Sequence, residues 1–358
     1  MKIKQLVALA TAALMLTACG AKTNNNDNNN NNNNNKAVAT DSQKPKGEGL
    51  KVVTTTYILR DLTQEIAGDK ATVTCLIPKG QGVHGFEPSP KDMNQVNEAD
   101  LFIYNGAGLE SFTDRFKETT EGDATFVEAS EGIELLKGGH HHHHDEDADH
   151  DHDHDAADHD HDHDAADHDH DHDAAEHDHE HDAAEHDHEH EGMDPHVWMS
   201  PENAEEMAKN ICEALSAKDP DNAAFYKANY EKLSEKFDAL NDSFEKVLSK
   251  AKYKDIVVSH EAYGYLAKEF GLNQIPIEGI NSESEPDPKA MKTIVDEMKA
   301  KGIKTVFTEP HEDDKIAQTI ASEAGAQVKE LDPMEYESDK NYFERMESNL
   351  KTLESALQ

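Results

Sequence analysis

Ile256-Val257-Val258-Ser259-His260-Glu261-Ala262-Tyr263-Gly264-Tyr265-Leu266 changes its periodicity in the middle. The β-branched run 256–259 predicts a buried strand, and 263–270 predicts a helix. His260 stands at the junction. The same alternation continues downstream, with strands at 274–277, 303–308 and 328–331 and helices at 288–301, 315–324 and 342–357. Upstream it reads strand 52–55, helix 58–67, strand 71–77, helix 90–98, strand 101–104, then 111–117 and 125–128 in turn. Strand–helix repetition of this kind makes a parallel sheet covered by helices.

Between the two series lie helical stretches at 201–217 and 220–250. The second places Phe225, Tyr226, Tyr230, Leu233, Phe237, Leu240, Phe244, Val247 and Leu248 at spacings of one, three and four. Such a helix reaches roughly 45 Å, enough to run along two bodies and join them. The expected architecture is α/β: two βα lobes with parallel sheets (50–217 and 253–358) joined by one long rigid helix (218–252).

The first lobe is interrupted. Residues 140–191 hold His140, His141, His142, His143, His144, His150, His152, His154, His159, His161, His163, His168, His170, His172, His177, His179, His181, His186, His188 and His190, interleaved with Asp and Glu. Part of the tract repeats every nine residues, and none of it offers an apolar face to bury. It reads as a disordered insertion and a loose array of imidazole and carboxylate ligands. Its 23 acidic residues and absent Lys and Arg account for over half of the net charge of −41, leaving −18 elsewhere. That balance argues against nucleic acid or anionic lipid as a partner.

The chain's start reads as a targeting segment. Lys2 and Lys4 precede the apolar stretch 6–16, too short to span a membrane, and Leu16-Thr17-Ala18-Cys19 resembles a bacterial lipobox. The expectation is a signal peptide over 1–18, lipidation of Cys19, and an Asn-rich flexible tether over 19–49. Cys75 and Cys212 lie in apolar runs and read as buried core residues, with pairing left open.

Four histidines lie outside the tract. His84 precedes Glu87-Pro88-Ser89-Pro90, His196 precedes Ser200-Pro201, and His260 ends its strand. Ligands of open α/β sheets bind where strand-to-helix loops converge, so these three point to one metal site in the cleft between the lobes. A carboxylate would complete a tetrahedral N₃O shell suited to zinc, with Asp332, Glu335 and Glu309 as candidates. His311 reads as a solvated loop residue.

Three stretches carry a resemblance: Gly82-Val83-His84-Gly85-Phe86-Glu87-Pro88-Ser89-Pro90, Asp194-Pro195-His196-Val197-Trp198, and Ser259-His260-Glu261-Ala262-Tyr263-Gly264-Tyr265-Leu266. Together and in this order they resemble the zinc-binding lipoproteins of bacterial ABC importers. The resemblance implies two lobes, one rigid linking helix, Zn²⁺ in the cleft as transported ligand, and no enzymatic activity. It implies His84, His196 and His260 as imidazole ligands, with Glu335 at the position where some members supply a fourth. It further implies an extracytoplasmic, lipid-anchored monomer serving an ABC permease and its ATPase. Manganese-binding relatives carry Glu at the position of His260, and three imidazoles favour zinc over manganese. The tract would then be a secondary, low-affinity collector. A manganese or iron importer component and a zinc-storage or adhesin lipoprotein are the alternatives. A zinc hydrolase is disfavoured, because no HExxH or comparable set is present.

Overall fold

The computed structural model of the protein describes residues 49–138, 192–280, 286–311 and 313–358, and Gly49–Gln358 forms one compact unit. The expected signal peptide, Cys19, the tether and the histidines of 140–190 lie outside the described residues.

The first sheet contains β1 (Leu50–Thr54), β2 (Ala71–Cys75), β3 (Leu101–Tyr104) and β4 (Thr125–Glu128), all parallel, in the order β2-β1-β3-β4. The second contains β5 (Asp255–Val258), β6 (Asn273–Pro276), β7 (Thr305–Thr308) and β8 (Gln327–Glu330), again parallel, in the order β6-β5-β7-β8. Sequence and position agree within each sheet. The central strands β3 and β7 are buried at every residue, as a strand covered on both faces must be. The edge strand β2 instead alternates half-buried and exposed residues.

In both sheets the first strand sits between the second and third, so the chain leaves it in opposite directions. This creates a topological switch point at the carboxyl ends of the central strands. The crossovers are α1 (Tyr57–Ala67), α2 (Pro90–Asn97) and α3 (Thr113–Thr119), followed by α4 (Pro201–Lys218), in the first lobe. After α5 (Ala223–Leu248), the second lobe uses α6 (Gly264–Phe270), α7 (Pro288–Lys301) and α8 (Lys315–Ala324), and α9 (Tyr342–Ala356) closes the chain.

α5 is the expected linking helix, 26 residues long and therefore about 39 Å. Tyr226, Leu233, Phe237, Leu240, Phe244 and Leu248 form its buried stripe. α9 folds back onto it: the Phe237 ring lies 5.5 Å from Tyr342 and 4.9 Å from Phe343. One apolar core therefore runs from Val52 and Phe102 through Phe237 to Ile256 and Val258. A second core, around Val257, Val306, Ile294 and Ile320, fills the outer side of the second sheet. No helix among the described residues is long and apolar enough to cross a membrane.

Candidate metal centre

His84, His196, His260 and Glu335 all lie on segments that follow a strand or lead into a helix. His84 lies in the loop between β2 and α2, whose entry is fixed by Ser89 at the N-cap and Pro90 in the first turn. His196 precedes a short 3₁₀ turn, Val197–Met199. Ser200 then caps α4 by accepting from the Asn203 amide at 3.0 Å. The Asn105 side chain, just beyond β3, donates to the Pro195 carbonyl at 3.0 Å and pins this segment to the first sheet. His260 follows β5, and Glu335 follows β8.

The four converge. One nitrogen from each of His84, His196 and His260 and one oxygen of Glu335 all lie within 4.8 Å of one another. His84 Nε2 is 3.0 Å from His196 Nε2, and Glu335 Oε1 is 3.3, 3.2 and 3.5 Å from nitrogens of His84, His196 and His260. A tetrahedron built on metal–ligand distances of roughly 2.0–2.1 Å has edges of about 3.3–3.4 Å. Four of the six separations, at 3.0–3.5 Å, match that figure within a few tenths of an ångström. His196, His260 and Glu335 are buried, while the His84 side chain is 14% exposed, so a solute reaches the group from the His84 side. A cavity of about 570 Å³, bordered by Tyr104, Glu110, Asp114, Glu128 and Met193, opens against His84.

The outer groups select which nitrogens face inward. Asp194 Oδ1 accepts from His196 Nδ1 at 2.7 Å and from the His196 amide at 2.9 Å, which turns the Nε2 lone pair toward the centre. His260 Nε2 lies 2.7 Å from the Ile280 carbonyl and donates to it, leaving Nδ1 directed at Glu309 Oε1, 3.0 Å away. An imidazole lone pair facing carboxylate oxygens is tolerable only with a proton or a metal cation between them. Glu335 Oε1 tells the same story: it is sealed from solvent and receives no well-aligned hydrogen bond despite three nearby imidazoles.

Without metal, protons take that place. Burial opposes charge on His196, yet the Asp194 and Glu335 carboxylates beside it prevail and push its pKa up to about 10. Burial likewise opposes charge on His260, where Glu309 prevails and raises the pKa. Glu335 is held well below the usual carboxylate range: burial acts to raise it, and His196 and His84 outweigh that. Burial raises Glu309, with His260 pulling the other way. A cation at the centre would displace the shared protons.

Of the three carboxylates weighed for the fourth position, Glu335 lies near all three histidines, while Glu309 Oε1 contacts only His260 among them, at the same inward-facing Nδ1, 3.0 Å away. Asp332 is engaged elsewhere, by a two-pronged bond from Arg345 at 2.7 and 2.7 Å. His311 is exposed, at φ 75°, with its ring 5.4 Å from Tyr336. Asp194 went unassigned in the sequence reading, although an acid two residues ahead of a candidate ligand was the available signal. Cys75 and Cys212 are both free. The described residues on either side of the tract meet: Lys137 bridges Met193, and the Gly138 amide donates to the Gly192 carbonyl at 2.9 Å.

Comparison with known proteins gives consistent likenesses. A family model described as "Zinc-uptake complex component A periplasmic" matches residues 52–356. The high-affinity zinc uptake system protein ZnuA of Bacillus subtilis is 34% identical over 323 residues, covering 88% of this chain and 90% of that protein. The Zn(II)-bound ZnuA-like domain of Streptococcus pneumoniae AdcA superposes with a TM-score of 0.66 at 27% identity, over 86% of this chain and 99% of the domain. This chain spans 58% of the longer AdcA structure. The laminin-binding protein Lmb of Streptococcus agalactiae, described as bifunctional with adhesin and metal transporting activity, gives 0.69 at 29% identity, over 87% and 100%.

Proposed function

The chain belongs to the family of periplasmic A components of zinc-uptake complexes, and on that footing we propose that it captures extracytoplasmic Zn²⁺ for an ABC permease. His84, His196, His260 and Glu335 are the proposed ligands, and zinc is the cargo rather than a resident cofactor. The reading is carried by one observation, the four-atom cluster in which four of the six separations are 3.0–3.5 Å, with its lone pairs turned inward by Asp194 and the Ile280 carbonyl.

Capture follows from the layout. The hydrated ion meets His84 first, since that side chain alone of the four retains substantial exposure. Buried imidazoles and a carboxylate then replace its water, and protons leave as it enters. Three nitrogen donors with one oxygen favour zinc over manganese, which prefers oxygen ligands. A permease with its ATPase is the proposed recipient, Cys19 the proposed membrane anchor, the monomer the proposed form, and the His-rich tract a low-affinity collector. Binding and release, rather than catalysis, is the chemistry this site supports. Adhesion is a second reading, supported by the likeness to a laminin-binding structure.

Calorimetric zinc titration of the full chain, of a 140–191 deletion and of His196→Ala tests the proposal, with Mn²⁺ as competitor. One tight site that survives the deletion, resists Mn²⁺ and vanishes in His196→Ala is expected. Loss of all tight binding on deletion would make storage in the tract the better account.

A further inference from the structure

Glu335 sits on a segment between β8 and α9 that has no regular secondary structure, yet a ligand must be held to a fraction of an ångström. Arg345, on α9 and only 4% exposed, donates from Nε to Asp332 Oδ2 and from Nη2 to Asp332 Oδ1, both at 2.7 Å. Its third arm, Nη1, donates to the Tyr336 carbonyl at 3.1 Å. One planar group therefore grips the chain three residues before Glu335 and one residue after it.

The grip shapes what lies between. Asp332 Oδ1 also accepts from the Met334 amide at 2.8 Å, and Met334 adopts φ 67°, a left-handed conformation unfavourable for a residue with a side chain. Asn349, one turn further along α9, completes the hold: it accepts from the Asp332 amide at 2.9 Å and donates to the Asp332 carbonyl at 2.7 Å. α9 is itself packed on the linking helix through Tyr342 and Phe343. The carboxylate is thus referenced to the body that joins the lobes.

We propose that Arg345 is a positioning residue for the metal site, which fixes the Glu335 carboxylate through Asp332 and the Tyr336 carbonyl and so governs how long zinc is retained. The inference rests on Glu335 being the fourth ligand. Lysine at position 345 would keep the charge but lose the flat three-point fork, since an ammonium is a point charge.

The test is zinc release from the full chain into excess chelator, following the slow phase, for wild type, Arg345→Lys, Glu335→Ala and the double variant. Removing an outer partner of a metal ligand typically costs roughly 10–100-fold, so Arg345→Lys should speed the slow phase by about that factor in wild type. In the Glu335→Ala background it should change the rate less than about twofold, because the group it positions is gone. Equal acceleration in both backgrounds, or none in wild type, overturns the proposal. If Glu335→Ala alone leaves release unchanged, the fourth-ligand reading fails first and takes this inference with it. Metal-free melting of each variant checks folding, and Asp332→Asn, which cuts the same fork from the other side, is read identically should Arg345→Lys not fold.

Discussion

His196 Nδ1 lies 2.7 Å from Asp194 Oδ1, and this single bond decides which ring nitrogen faces the four-residue centre. The carboxylate accepts, so Nδ1 carries the hydrogen and Nε2 presents its lone pair to the centre. Asparagine at 194 can offer an N–H where the acceptor was and so favour the opposite tautomer. Asp194→Asn is expected to weaken zinc binding by roughly 10–100-fold. Calorimetry measures it, and an unchanged affinity would mean that Asp194 does not orient the ring.

The proton on His196 makes stability and zinc affinity depend on pH in opposite ways. Its pKa is raised from 6.5 to about 10 in the folded protein, through Asp194 and Glu335 acting against burial. The contribution of that bound proton to metal-free stability is complete below about 6.5 and is lost as pH rises through about 10. His260 is shifted in the same direction, and Glu335 in the other, so the Glu335 contribution fades only as pH falls below the ordinary carboxylate range. In the proposed capture, zinc takes the place of the proton. The zinc-induced rise in melting temperature should therefore grow between pH 6.5 and 9, and binding should release protons, detected as different apparent enthalpies in buffers of different ionisation heat. Equal enthalpies across buffers would contradict the protonated state of His196.

Much of this centre was legible in advance, and the portion that was not has a physical reason. His84, His196 and His260 each precede or follow a recognisable element boundary, such as Ser89-Pro90 or the end of the 255–258 strand, and helix caps and strand ends are local signals. Strand limits missed by only one or two residues: β2 stops at Cys75 rather than 77, and β7 starts at Thr305 rather than 303. The choice among Asp332, Glu309 and Glu335 was open because all three end or follow strands. What separates them is Arg345, thirteen residues away from Asp332, which neutralises one candidate. The return of α9 onto α5 was equally hidden, since an amphipathic pattern says that a helix has a buried face but not which surface it covers.

Gly264 offers a substitution with a narrow effect. A Cβ placed there would fall 2.6 Å from Asp194 Oδ2, whereas the backbone itself accepts alanine. Asp194 is held by two bonds to His196 and cannot retreat freely. Gly264→Ala is expected to lower zinc affinity by about tenfold, in line with disturbance of an outer partner. Helix stability should not fall, because alanine is the better helix former by about 1 kcal/mol. Combining it with Asp194→Asn should add little, which a double-mutant cycle reads directly.

The continuity of the core between lobes predicts how the protein unfolds. Phe237, 1% exposed, joins the linking helix to α9 through Tyr342 and Phe343, while Tyr342 donates to the Trp198 carbonyl at 2.9 Å beside the metal site. Trp198 is the chain's one tryptophan, buried, with its ring 5.4 Å from that of His196. Its fluorescence therefore reports on the centre, whereas circular dichroism reports on helices of both lobes. The two signals should trace one denaturation curve, since neither lobe possesses the central core alone. Phe237→Ala should cost about 3–5 kcal/mol, the usual loss for emptying a buried aromatic site, and should shift both curves together. Separate midpoints for the two probes would show that the lobes unfold independently and that α5 links them without sharing their stability.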